Sequence, residues 1–265
     1  MRIIVDAMGG DNAPRAIVKG ALQGQKRWGV DITLTGDETA IREALAQCGV
    51  QELPQGMDIV PTTTGRCVLI DCGANAECTP EYLLQFAYLG SFYARHVLGI
   101  ENPRVGLLNI GVEAEKGTDL QRQTRALLLE QPKLNFIGNI EAKEAIKGGC
   151  DVLVTDGFSG NVMLKTIEGI GSYAGSCLKG IFKKNLLTKL AGAMVLPGLN
   201  AFKAQLDPNK VGGTAFIGIS KPVIKAHGSS NDEAIENAIG QAREVAASGL
   251  VDEIAAHVDE MTLNA

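Results

Sequence analysis

Short apolar, β-branched runs alternate along this chain with longer stretches in which apolar positions recur every three or four residues. A strand buried on both faces reads as a continuous apolar run, and a helix lying on a sheet shows one apolar stripe. The alternation therefore predicts a mostly parallel sheet covered by helices, the α/β class. Strands are predicted at 2–6, 31–35, 57–60, 67–71, 104–109, 134–137, 151–156, 214–219 and 222–226. Helices are predicted at 14–28, 38–47, 80–98, 119–130, 161–183 and 232–248. Thr79 before Pro80 and Glu81 is a strong helix start, a capping hydroxyl followed by proline at the first helical position. Asn231 or Ser230 is expected to cap the last helix. The alternation breaks once. Only residues 61–66 separate the apolar runs 57–60 and 67–71, whereas a parallel crossover needs about a dozen residues or more. Either the pair is a local hairpin or a segment is missing between 60 and 66.

Five strand ends share one design, an apolar run followed by a polar residue and then glycine. Asp6 leads to Gly9, Gly10 and Asp11, and Asp71 leads to Gly73, Ala74 and Asn75. Asn109 leads to Gly111, Asp156 to Gly157, Gly160 and Asn161, and the last strand to His227, Gly228 and Ser229. Open α/β sheets bind ligands outside the carboxyl ends of their strands. Glycine lets backbone N–H groups approach an anion there, and a following helix N-terminus favours negative charge. These turns are expected to handle a phosphate group. Familiar fingerprints fail. Gly169, Gly171 and Ala174 spell the dinucleotide pattern, but inside a predicted helix rather than after a strand. The run from Gly157 to Asn161 lacks the closing glycine of a nucleophile elbow.

Composition narrows this reading. A net charge of −5 argues against a nucleic-acid partner. The six cysteines form no C-x-x-C pair and fit no zinc spacing, so neither a metal nor another cofactor is expected. Residues 2–5 already read as strand rather than as a signal peptide, and the longest apolar run, 190–199, is too short to cross a bilayer. Lys116 lies in a loop between a strand and a helix, where it can reach a phosphate or simply face solvent. His227, beside a glycine after a strand, is the histidine best placed for a site, with a structural role as the alternative. His96 and His257 fall in helical patterns and read as packing or surface residues. Residues 178–210 differ from the rest. Leu178, Phe182, Leu186, Leu190 and Met194 keep helical spacing among Lys179, Lys183, Lys184, Lys189, Lys203 and Lys210. This predicts a protruding amphipathic hairpin with its apolar tip at 193–197, made for a membrane surface, a sister subunit or both.

Taken in order, these motifs resemble the PlsX family, the acyl-acyl-carrier-protein:phosphate acyltransferases of bacterial phospholipid synthesis. The resemblance rests on 6–11 with Ala13 and Pro14, on Asp71 with Gly73 to Asn75, on 102–111, on 155–162 and on 227–229. It implies a three-layer, doubly wound fold of the isopropylmalate dehydrogenase type, with residues 1–265 as one domain and a homodimer as the assembly. It implies transfer of a fatty acyl group from acyl carrier protein to inorganic phosphate. A membrane glycerol-3-phosphate acyltransferase then uses the acyl phosphate. By position it makes Lys116 and Asn161 catalytic, and the chain cytoplasmic and peripheral to the inner face of the cell membrane. Family members also carry a segment with a Ser-x-Gly-Asn-Thr-Gly-Ala turn that this sequence lacks where the strand alternation breaks. The expectation is that the working protein has residues, a substrate-gating segment, between Val60 and Arg66 that this sequence skips.

A thioester is already activated, so phosphate can attack it without an enzyme nucleophile. The glycine turns and Lys116 would hold phosphate, Asn161 would stabilise the oxyanion, and His227 would orient a phosphate oxygen or accept its proton. Lys116, Asn161, His227 and the turns at Gly9, Gly73 and Gly157 are expected to converge on one cleft. Two rivals remain: a metal-dependent hydroxyacid dehydrogenase of the same fold, and a membrane-attached scaffold that binds acyl carrier protein without turnover.

Overall fold

A computed structural model of the chain describes residues 1–48, 57–58, 67–205 and 212–261. The elements begin with β1 (Arg2–Asp6), α1 (Arg15–Trp28), β2 (Asp31–Thr35), α2 (Glu38–Gln47), β3 (Met57–Asp58), β4 (Val68–Ile70) and α3 (Pro80–His96). Then come β5 (Arg104–Asn109), α4 (Asp119–Leu129), β6 (Asn135–Glu141), α5 (Ala142–Ile146), β7 (Val152–Val154), α6 (Gly157–Phe182) and α7 (Leu186–Gln205). The chain continues through β8 (Gly213–Phe216), β9 (Val223–Ala226), α8 (Asp232–Ala247), α9 (Leu250–Ala256) and α10 (Val258–Met261). The contacts divide the chain into two compact units. The first holds 1–66, 92–102 and 208–265, the second 67–91 and 103–207, and the division falls within α3.

In the first unit β1, β2 and β3 pair in that order as a parallel sheet, with Ile3 facing Ile32 and Val5 facing Leu34. Ile3, Val5 and Ile32 join Ile17, Val18 and Ala21 of α1 and Ile235 and Ile239 of α8 in one buried core. Glycines set how closely α1 and α8 pack. A Cβ on Gly20 would stand 2.6 Å from the Cβ of Ile235, and one on Gly24 would stand 2.8 Å from Cδ1 of Ile239. Gly240 likewise admits the Trp28 ring, whose Nε1–H donates to the Glu236 carbonyl at 2.8 Å. β8 and β9 form a separate antiparallel pair. Asn231 caps α8, its side chain accepting from the Ala234 N–H at 2.9 Å. His96 bonds the Ser248 carbonyl and Glu253, and His257 packs on Phe92, so both are packing residues as read from the sequence.

The second unit is built on a parallel sheet of order β4-β7-β5-β6. Its strands are the near-continuous apolar runs of a sheet covered on both faces, and Val105, Leu107, Val152, Leu153 and Val154 are almost wholly buried. β3 and β4 thus belong to different sheets, β3 pairing with β2 and β4 with β7. β3 and β4 are not paired with each other, so they are not the two strands of a local hairpin. The break expected between Val60 and Arg66 lies outside the described residues.

Other boundaries moved. β6 runs on to Glu141, α5 carries no marked periodic signal, and α6 starts at Gly157 rather than at 161. The polar residues Lys183 to Asn185 separate α6 from α7, where Asn185 caps α7 by accepting from the Thr188 N–H at 2.9 Å. The expected tip at 193–197 is therefore corrected: those residues lie inside α7, with Pro197 within the helix. An apolar run of helical spacing reads alike as helix or tip, and the Asn-x-x-Thr cap at 185–188 is the signal that separates them.

Candidate functional site

At the five handovers the polar residue closes its own turn. Asp71 does so most completely. Its Oδ1 accepts from the Gly73 and Ala74 N–H groups at 2.8 and 2.9 Å, and its Oδ2 accepts from the Asn75 N–H at 2.6 Å and the Asn75 amide at 2.9 Å. Asp156 accepts from the Ser159 N–H at 2.8 Å and so caps α6. Asn109 accepts from the Ile110 N–H at 2.8 Å and donates to the Lys116 carbonyl at 3.0 Å. Asp6 accepts from the Met8 N–H at 2.9 Å, and Nδ1 of His227 accepts from the Ser229 N–H at 3.2 Å with the Ser229 hydroxyl 2.7 Å away. The same residue types that suggested an anion cradle hold the turns in shape. The N–H groups of Gly73, Ala74 and Asn75 point at Asp71 rather than outward.

In the second unit these turns sit at the carboxyl ends of three neighbouring strands, β4, β7 and β5. The start of α6 presses against the turn after β4. The Gly157 N–H donates to the Asn75 carbonyl at 2.9 Å, and a Cβ on Gly160 would fall on the Asp71 carbonyl oxygen. This places the exposed Asn161 beside Gly73, whose absent Cβ would lie 3.5 Å from the Asn161 amide carbon. The loop after β5 is pinned at several points. Asn139 donates to the Glu113 carbonyl at 2.7 Å, Asn109 holds the Lys116 carbonyl, and Thr118 with Gln121 forms the capping box of α4. The Thr-x-x-Gln spacing of that box is a signal that the sequence reading did not use, and Asn139 carried none. The Lys116 side chain is exposed on this pinned loop. Neither its ammonium nor the Asn161 amide has a hydrogen-bonding partner among the described residues. These two side chains are available to a ligand, in contrast to the polar residues that close the turns.

The first unit brings together a second group. The Asp11 N–H donates to the Gly228 carbonyl at 2.6 Å, and a Cβ on Gly10 would stand 2.7 Å from that oxygen. The Asn12 amide donates to the carbonyls of Ser229 and Ser230 at 3.2 and 3.1 Å. Asp6, Gly9, Gly10, His227, Gly228 and Ser229 therefore share one cluster, while Asp71, Gly73, Asn75, Asp156, Gly157, Gly160 and Asn161 share another, with Lys116 on the same sheet edge as the latter. Asn12 is a residue the sequence reading missed. Its place just after Gly9-Gly10-Asp11 was the available hint.

Burial alone would raise the Asp71 pKa, but the hydrogen bonds from Ala74, Asn75 and Gly73 outweigh it and hold the carboxyl below the usual range. A depressed folded-state pKa contributes stability that is complete above the unfolded value, near pH 4, and is lost as pH falls through the folded value. The urea midpoint of the second unit should therefore fall as pH drops below about 4. Asp71→Asn should flatten that dependence, and at neutral pH should cost about 2–4 kcal/mol, because its NH2 would face the Asn75 donors.

Comparison with known proteins places this geometry in context. The profile of a family described as "Fatty acid synthesis protein" matches residues 1–62 and 57–253. A protein named phosphate acyltransferase from Oceanobacillus iheyensis is 38% identical over 328 aligned positions, covering 98% of both chains. A phosphate acyltransferase from Bacillus cereus is 36% identical over 330 positions, covering 99% of this chain and 100% of the relative. An alignment of that length against 265 residues leaves several dozen positions of the relative without a counterpart here, and the family profile also divides near residues 57–62. Among solved structures, a phosphotransacetylase from Streptococcus pyogenes superposes with a TM-score of 0.55 at 13% identity, covering 95% of this chain and 94% of that one. The EutD phosphotransacetylase from Staphylococcus aureus gives 0.51 at 13% identity. Both show the α/β fold with a parallel sheet and flanking helices.

Proposed function

We propose that this chain, which belongs to the phosphate acyltransferase family of fatty acid synthesis proteins, transfers a fatty acyl group from acyl carrier protein to inorganic phosphate. The observation that carries the reading is the pair of uncommitted side chains, Lys116 and Asn161, on one sheet edge whose other polar residues are engaged in their own turns. A phosphate oxygen attacks the thioester carbonyl, the carbon–sulfur bond breaks, and the carrier thiol leaves with a proton. Lys116 holds the dianion and offsets its repulsion from the developing oxyanion, which the Asn161 amide meets as a donor. In the first unit, Nδ1 of His227 accepts from the Ser229 N–H, which leaves Nε2 as the nitrogen that would carry the proton of the neutral ring. Lys116→Ala is expected to raise KM for phosphate about tenfold or more while KM for the acyl carrier protein changes little. A uniform loss of both would remove Lys116 from the phosphate site.

The reading extends to the membrane. Beyond its first turn α6 buries no residue among those described, and α7 likewise leaves Leu186, Leu187, Leu190, Met194 and Leu196 more than half exposed. Apolar surface of that extent marks a contact with lipid or a partner subunit. Lys179, Lys183, Lys184 and Lys189 are exposed beside it, which favours an anionic lipid surface by about 1 kcal/mol for each lysine near it. The hairpin of α6 and α7 would then lie along the cytoplasmic face of the cell membrane. A homodimer, a fold kinship with isopropylmalate dehydrogenase, and hand-over of acyl phosphate to a membrane glycerol-3-phosphate acyltransferase belong to the same proposal. Wild type should float with vesicles containing anionic lipid, and the Val195→Asp, Leu196→Asp variant should not. Equal flotation would exclude this stretch as the contact.

A further inference from the structure

The amino-terminal ends of β4 and β7 lie at the edge of the second unit's sheet opposite the strand ends that carry Asp71 and Asp156. There Cys67 and Cys150 bring their Sγ atoms to 4.0 Å. Cys67 is exposed, and Cys150 is 2% exposed, packed among Ile140, Ala145 and Leu153. Arg104 is held beside them. Its Nε and Nη2 donate to Asp151 at 3.0 and 2.9 Å, and its guanidinium also donates to the carbonyls of Gly148 and Gly149. The Asp151 carboxylate offsets the Arg104 cation at Cys67, so what favours thiol–disulfide exchange here is an accessible thiol with a second thiol within reach.

We propose that Cys67 and Cys150 form a redox-active dithiol that takes a low-molecular-weight disulfide, such as oxidised glutathione, and closes to a Cys67–Cys150 disulfide. Cys67 thiolate attacks one sulfur of the small disulfide, whose S–S bond breaks to release one thiol. Cys150 then loses its proton and attacks the Cys67 sulfur of the mixed disulfide, releasing the second thiol, which takes the proton. Two protein thiols are oxidised and one small disulfide is reduced to two thiols. The division of roles follows from access, since Cys67 is exposed and Cys150 is 2% exposed. With Cys150 as donor, their shared hydrogen bond lowers the Cys67 pKa and raises that of Cys150. The exposure of Cys67 leaves the bond open to attack by a reducing thiol, so it is expected to be reversible. It would clamp the two neighbouring strands whose far ends carry the Asp71 and Asp156 turns.

The test is peptide mapping of the full chain after incubation with oxidised glutathione. The expected product is a Cys67–Cys150 cross-linked peptide that dithiothreitol resolves. Cys150→Ala should arrest at glutathione on Cys67, and the oxidised wild type should melt higher by roughly 5–15 °C. The exposed Cys177 serves as an internal control for the reagent. The proposal is overturned if Cys177 takes glutathione while Cys67 stays free, if Cys67 of the wild type retains glutathione without closure, or if Cys67 pairs with another cysteine.

Discussion

Gly160→Ala is expected to destabilise the second unit by about 3 kcal/mol or more, seen as a lower urea midpoint at unchanged slope. Helix propensity alone predicts the opposite sign, because alanine is favoured over glycine within a helix by about 1 kcal/mol. Sterics decide the outcome. The added methyl would fall on the Asp71 carbonyl oxygen and stand 2.8 Å from the Thr155 methyl, and neither is the free end of a flexible side chain. α6 would have to retreat from the turn after β4, and Asn161 would leave its place beside Gly73. Gly169→Ala, in the same helix with open space around it, supplies the control. Relief at 169 with a penalty at 160 separates close approach from propensity.

Asn161→Ala should lower kcat by about tenfold to a thousandfold, the range of a lost oxyanion donor, with little change in stability. The amide is exposed and bonds to nothing among the described residues, so its removal leaves no buried group unpaired. Steady-state kinetics beside a denaturation curve checks both halves. Equal loss of stability and of turnover would make Asn161 a structural residue.

These residues also show how far the sequence could be read. The strands at 2–6, 31–35 and 104–109 and the helix at 38–47 matched their limits because buried parallel strands and a one-sided helix each leave a periodic trace. The division into two units left no such trace, since the pattern of β4 does not say which sheet it joins. At the site, residue types identified the turns correctly but not what their polar side chains do. Asp71 and an anion would compete for the same N–H groups, and only coordinates show that the carboxylate has them. Lys116 and Asn161, by contrast, were legible as candidates, yet their availability follows from the partners that Asn109, Asn139 and Asp156 find elsewhere.

The relative from Bacillus cereus has several dozen positions without a counterpart in this chain, so turnover by the 265-residue protein itself is the decisive quantity. The measurement is release of the carrier-protein thiol from an acyl-acyl carrier protein, with inorganic phosphate present and absent, and with acyl phosphate followed as product. Phosphate-dependent thiol release with one acyl phosphate formed per thiol is the expected result. Tight binding of the acyl-acyl carrier protein with no phosphate-dependent release would contradict the account and leave a binding scaffold in place of an enzyme.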